Sequence, residues 1–251
     1  MRLANKVALI TGAGSGMGRT TAILFASEGA QVAVADISQQ GVDETVKEIA
    51  ANGGKAIGLH GDVSKTEDVQ RMVAATAERL GPPTVLYNNA GIEGEAAYLS
   101  KMSEEAFDKV IAINLRGVFL GMKYTIPHMV KAGGGSIVNQ ASIAGLIGIP
   151  GGAHYAAAKA GVIAMTLVAA VEYGRYNIRV NCICPGAIET PMAVRIRKGA
   201  PPKEHAIKRI SVLERMGKPE EIARMALFLA SDEGSFATGA PFVVDGGWTI
   251  I

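Results

Sequence analysis

The sequence predicts an α/β protein built on one doubly wound, all-parallel sheet of seven strands, with helices on both faces. Two observations lead there. Apolar runs rich in Val, Ile and Ala alternate along the whole chain with segments of helical periodicity. Near-continuous apolar strands are buried on both faces, and strand–helix alternation means parallel crossover connections. A third observation sets the domain count. The 251 residues contain no linker-like stretch and no internal repeat, and that length fits a single domain spanning 1–251.

The strands are expected at "KVALIT" (6–11), "QVAVAD" (31–36), "KAIGLHG" (55–61), "TVLYNNAG" (84–91), "GSIVNQAS" (135–142), "IRVNCICPG" (178–186) and "PFVVDGG" (241–247). Helical patterns occupy 17–28, 38–52, 66–80, 103–132, 155–173 and 219–230. One stretch breaks the rhythm. Residues 189–218, "ETPMAVRIRKGAPPKEHAIKRISVLERMGK", are long, basic and irregular, as substrate loops in compact α/β folds are.

Composition excludes several functions. A net charge of +2 without a Lys/Arg block argues against nucleic acid as a partner. The N-terminal "MRLANKVALITG" lacks a cleavage site, and the longest apolar run, "GVIAMTLVAAV", is read as too short to span a bilayer, so a cytoplasmic location and no membrane association are expected. Cys182 and Cys184 are not spaced as C-x-x-C and are expected as buried, reduced thiols on one strand face. The four histidines show no metal-ligand spacing, so no metal is expected.

The segment "TGAGSGMG" joins the first strand to the first helix. Such a junction aims backbone N–H groups and the positive helix end at one place, which suits a phosphate. The G-x-G-x-x-G spacing fails, because Met17 and Arg19 stand where its last glycine would be. T-G-x-x-x-G-x-G fits, through Thr11, Gly12, Gly16 and Gly18, with Ser15 and Met17 inside the same turn. Asp36 closes the second strand, where a carboxylate accepts hydrogen bonds from an adenosine ribose. These features together predict a Rossmann-type dinucleotide site. A 2′-phosphate would meet Asp36 as a like charge, and neither Ser15 nor Ile37 supplies a cation to receive it. NAD(H) is therefore expected over NADP(H).

"SIAGLIGIPGGAHYAAAK" carries Ser142, Tyr155 and Lys159. Tyr155 and Lys159, four apart, share one helix face, and Ser142 ends the fifth strand at the carboxyl edge where open sheets bind ligands. Oxidising an alcohol needs a base for the hydroxyl proton. A free tyrosine, with a pKa of about 10, is too weak an acid to be that base at neutral pH. A neighbouring ammonium and a cationic nicotinamide ring favour the phenolate, and reaching about 7 takes roughly 4 kcal/mol. In reduction the same tyrosine is the acid, with Ser142 as a donor to the reacting oxygen.

With these motifs in order, the sequence resembles the short-chain dehydrogenase/reductase family over essentially its whole length. Further matches are "GDV" with Asp62, "NNAG", Asn114 in "AINLRG", "PGAIET" and "VDGG". The resemblance implies that Asp62 and Val63 hold the adenine. It implies that Asn89, Ala90 and Gly91 line the ribose side and brace the central strand. Lys159 would also bind the nicotinamide ribose, and Pro185, Gly186, Ile188 and Thr190 would fix the nicotinamide. Asn114 would hold a water linking Lys159 to solvent. Two positions depart from the family pattern: Tyr87 replaces a small aliphatic residue, and Gln140-Ala141 replaces a pair whose second member is often Ser.

The pocket rim is expected from residues 92–95, 148–152, Ile143 and Met192 with the loop behind it. Its apolar members are Ile92, Ile143, Ile149, Met192 and Ile196, which suggests a secondary alcohol or ketone of modest polarity. Arg195, Arg197, Lys198 and Lys203 form a basic cluster on this loop. The family resemblance implies a homotetramer through the helices at 115–132 and 155–173, and the second is apolar nearly all round. Two alternatives stand beside an NAD-dependent alcohol dehydrogenase/ketone reductase: a 3-oxoacyl-carrier reductase, and a dinucleotide-binding redox sensor without turnover.

Overall fold

The computed structural model of the chain describes residues 1–196 and 210–251. Its elements run β1 (Val7–Thr11), α1 (Gly16–Ser27), β2 (Gln31–Asp36), α2 (Gln39–Ala51), β3 (Lys55–His60), α3 (Thr66–Leu80), β4 (Val85–Asn88), α4 (Glu104–Ile111), α5 (Gly117–Lys131), β5 (Gly135–Gln140), α6 (Ala153–Tyr173), β6 (Ile178–Pro185), α7 (Pro191–Ile196), α8 (Pro219–Ala230) and β7 (Pro241–Val244). The seven strands form one sheet in the order β3-β2-β1-β4-β5-β6-β7, and every pairing is parallel. The winding direction reverses between β1 and β4, so loops leaving these two strands part to opposite faces and open a crevice at their carboxyl ends.

The central strands bury both faces. Val7 and Leu9 of β1 point into the core shared with α3, α5 and α6; Ala8 and Ile10 point into the core shared with α1, α2 and α8. The two edge strands, β3 and β7, keep exposed positions. Cys182 and Cys184 lie on β6 as free, buried thiols facing the same core.

Three expectations need revision. The strands after residues 88 and 140 stop earlier than their apolar pattern, leaving "NAG" and Ala141-Ser142 as loop at the site. The helix expected at 103–132 is interrupted by a π-helical turn, Ala112–Arg116, between α4 and α5. Finally, Ala153–Tyr176 is long and apolar enough to cross a bilayer, contrary to the judgement from run length. Instead it packs on β6 and places Lys159 inside the protein, with that side chain only 2% exposed.

Candidate active site

The turn after β1 is shaped by two glycines in the left-handed region, Gly12 (φ 64°) and Gly16 (φ 52°), which other residues adopt only under strain. Gly18 lies so close beneath this turn that a Cβ on it would overlap the Gly12 carbonyl and the Asn89 amide. Asn89 fastens the turn: its Nδ2 donates to the carbonyls of Thr11 (2.9 Å) and Gly12 (3.0 Å). The Thr11 hydroxyl accepts from the amides of Asn89 (3.1 Å) and Ala90 (3.2 Å). β1 and the loop after β4 are thereby locked together at the switch point. Ser15 occupies the N-cap of α1, yet its side chain makes no capping bond. The first-turn amides, including that of Met17, are left to an external acceptor.

Asp36 ends β2 beside this turn. Its Oδ2 accepts from the Gly14 amide and its Oδ1 from the Ser38 amide, both at 2.9 Å. Each oxygen retains a lone pair for a ribose hydroxyl. Ile37, the next residue, is exposed and brings no charge. After β3, Asp62 accepts from the Ser64 amide (2.9 Å) and hydroxyl (2.7 Å), while Val63 packs on Gly117. An uncapped helix N-terminus, a glycine turn and a carboxylate with spare acceptor capacity are the donor set a dinucleotide requires. The residues present fit that group.

The second constellation converges from three elements. Lys159 of α6 donates from Nζ to the Gln140 carbonyl at 2.6 Å and lies 5.6 Å from the Tyr155 ring centroid. Gly91 stands beside it: a Cβ there would lie 3.7 Å from Lys159 Nζ and 3.2 Å from Asn114 Oδ1. Ser142, half-buried at the end of the β5 segment, accepts from the Ala144 amide at 3.2 Å and also hydrogen-bonds the Tyr155 side chain. Burial lowers Lys159 to about 8, against the opposing pull of the Cys184 and Cys182 thiols. Burial also pushes Tyr155 above its usual value; the Ser142 hydrogen bond draws it back, and the nearby Glu93 carboxylate raises it further. In the protein alone, then, burial holds Tyr155 above its ordinary value; the fall toward about 7 is expected of Lys159 and the nicotinamide ring acting together.

Asn114 braces the pocket rim: its Oδ1 accepts from the Ile92 amide and its Nδ2 donates to the Ile92 carbonyl, both at 2.8 Å. The π turn explains the reach, since one extra residue per turn rotates Asn114 out of the helix register.

The nicotinamide-side residues follow β6. Pro185 ends the strand, the Gly186 amide donates to Val244 at 3.1 Å, and Ile188 is buried and bridged to Gly217. The Thr190 hydroxyl accepts from the Ala193 amide (3.2 Å) and so caps α7. Met192 is half-buried on α7, whereas Ile143, expected at the rim, is fully buried. Arg195 reaches Glu93 across the rim at 3.4 Å. Arg197, Lys198 and Lys203 lie outside the described residues.

Residue pattern alone missed His154. It is 1% exposed; its Nδ1 accepts from the Tyr155 amide at 2.7 Å and its Nε2 faces the Glu95 carbonyl at 3.1 Å. A neutral ring protonated on Nε2 is the only form that satisfies both partners. His154 thus ties the rim loop to the start of the catalytic helix. Among the described residues, no three His, Cys, Asp or Glu side chains cluster as metal ligands would.

Comparison with known proteins agrees with this geometry. Residues 12–249 match the family model described as enoyl-(acyl carrier protein) reductase. The 3-oxoacyl-[acyl-carrier-protein] reductase of Thermotoga maritima is 47% identical over the full length of both chains. Cyclohexanol dehydrogenase of an Acinetobacter species is 44% identical over 98% of this chain and 95% of its own. The crystal structure of levodione reductase superimposes with a TM-score of 0.93 at 42% identity, over 98% of each chain. The fold and the site define a nicotinamide-dinucleotide oxidoreductase acting on CH–OH groups. The chain belongs to the short-chain dehydrogenase/reductase family.

Proposed function

We propose that this protein is an NAD(H)-dependent oxidoreductase interconverting a secondary alcohol and a ketone, with Tyr155 as general acid and base. The observation that carries this reading is Lys159: a buried ammonium, anchored on the Gln140 carbonyl and set against the Tyr155 ring. Burying an ammonium is costly, and a buried titratable group so perturbed beside a candidate acid or base marks a functional site. When bound, the nicotinamide ring accepts or gives the hydride at the substrate carbon. Tyr155 takes or returns the hydroxyl proton, Ser142 donates a hydrogen bond to the same oxygen, and Lys159 favours the phenolate by its charge. Gly12, Gly16 and Gly18 hold the pyrophosphate, and Asp36 holds the adenosine ribose.

Asp36 supports NAD over NADP, since its carboxylate already faces the turn and neither Ser15 nor Ile37 brings a cation to offset a 2′-phosphate. A homotetramer is supported by apolar side chains left exposed on the single chain: Leu167, Val168 and Val171 on α6, and Phe119 on α5. A relative named for cyclohexanol supports a compact cyclic or secondary alcohol as substrate.

A second reading, reduction of a carrier-linked 3-oxoacyl group, is favoured by the 47% identity to the Thermotoga reductase. NADH and NADPH oxidation with cyclohexanone and with an acetoacetyl thioester separates the two. Preference for the thioester with NADPH would replace the first reading by the second.

A further inference from the structure

Two buried polar side chains of the central strands, Tyr87 and Gln140, meet in space. Tyr87 on β4 pairs with Val138 on β5, and Gln140 lies two residues farther along, on the same sheet face. The Tyr87 hydroxyl donates to Gln140 Oε1 at 2.5 Å, with both residues buried. The contact does not end there. Gln140 Nε2 in turn faces Met17 Sδ at 4.0 Å, and Met17 lies on α1 in the dinucleotide turn. Tyr87, Gln140 and Met17 form a chain of contacts from β4 through β5 to that turn. From the same Gln140, the main-chain carbonyl on the far side holds Lys159 Nζ at 2.6 Å.

Each side chain satisfies the other. With a small aliphatic residue at 87, the Gln140 Oε1 would be a buried acceptor without its donor. With an apolar residue at 140, the Tyr87 hydroxyl would be stranded in the core. Either orphan is costly. We propose that Tyr87 and Gln140 are positioning residues: their buried hydrogen bond, continued from Gln140 to Met17, ties the dinucleotide-binding turn of α1 to the carbonyl that orients Lys159. The proposal rests on the reading that Lys159 serves the reaction. It adds a mechanical coupling between two halves of the site.

Three variants test it: Tyr87→Phe, Gln140→Met and the double variant. The readouts are NADH affinity by fluorescence titration, the melting temperature, and the titration of Lys159. The last is followed by NMR of protein carrying 13C-labelled lysine, assigned with Lys159→Arg. Tyr87→Phe weakens NADH binding by about fivefold, the effect of one lost buried hydrogen bond. It also moves the Lys159 titration downward from about 8, because an ammonium loses a well-placed acceptor. Gln140→Met does the same, and the double variant costs less than the two singles combined. A lower melting temperature with NADH affinity and Lys159 titration unchanged would make the pair structural packing and overturn the proposal. If Tyr87→Phe does not fold, Gln140→Met carries the same comparison. A wild-type protein that binds NADH yet reduces no ketone would sink the functional reading alone, since neither binding nor the lysine titration depends on turnover.

Discussion

Tyr155 and Lys159 are held in opposite tension by the same burial. It pushes the phenol up and the ammonium down. Removing only the hydroxyl, in Tyr155→Phe, abolishes turnover in both directions and leaves NADH affinity within about twofold, because the ring packing survives. Joint loss of binding and turnover would mean a structural role. Ketone reduction uses neutral Tyr155, which the free protein keeps neutral well past pH 7, so its rate is flat through the neutral range. Alcohol oxidation needs the phenolate, and its kcat/KM rises with pH. Lys159 gives a stability signal of its own. Its folded value of about 8 lies below the ordinary 10.5, so the unfolded chain holds the proton more tightly. The cost of burying the ammonium is fully present below about pH 8 and is relieved as pH climbs toward the unfolded value. Lys159→Met therefore melts higher than wild type at about pH 7, and the gap narrows at about pH 9.5. A gap that widens with pH contradicts the burial argument. At Asp36, Asp36→Ala combined with Ile37→Arg moves the ratio of efficiencies toward NADPH by at least about tenfold, the size expected when one like-charge contact becomes an attraction.

At the scale of elements, helix starts and a helix break do most to place the site. His154 serves as acceptor for a first-turn amide of α6, that of Tyr155, and as donor to the rim loop. Replacing it with Ala costs about 1–2 kcal/mol in a melting or denaturant experiment, the size of a lost cap plus a lost buried bond. His154→Asn, whose Oδ1 overlays Nδ1, recovers the cap portion but not the Glu95 tether. No difference between the two variants would show that the cap contributes nothing. The strands, the glycine turn, Asp36 and the Ser142/Tyr155/Lys159 set were legible in the sequence because each depends on local pattern and fixed spacing. The π turn at 112–116 was not, since its cause is tertiary. Asn114 is drawn to the Ile92 backbone, 22 residues away, and no periodicity records that pull. The Tyr87–Gln140 bond was hidden for the same reason. Both residues looked like isolated oddities until the sheet register set them on one face.

For the molecule as a whole, the sheet divides two cores, and the site lies where the winding reverses between them. α1 and β2 bring the dinucleotide turn and Asp36 from one side; α6 brings Tyr155 and Lys159 from the other. One face of the long apolar α6 packs on β6, and the other, with Val171 85% exposed, is the face that the proposed tetramer would cover. Sedimentation equilibrium should give four times the chain mass of 26.0 kDa, and Val171→Asp should lower that mass. A wild-type mass near that of one chain rules out the assembly. The most direct test of the central claim follows NADH and NADPH absorbance over a panel of ketones, from cyclohexanone and small cyclic diketones to aryl ketones and an acetoacetyl thioester. Turnover with NADH, faster than with NADPH and clearly selective for one ketone class, is the predicted result. Tight NADH binding with no turnover of any ketone by either cofactor would contradict it, and would leave a dinucleotide sensor in place of an enzyme.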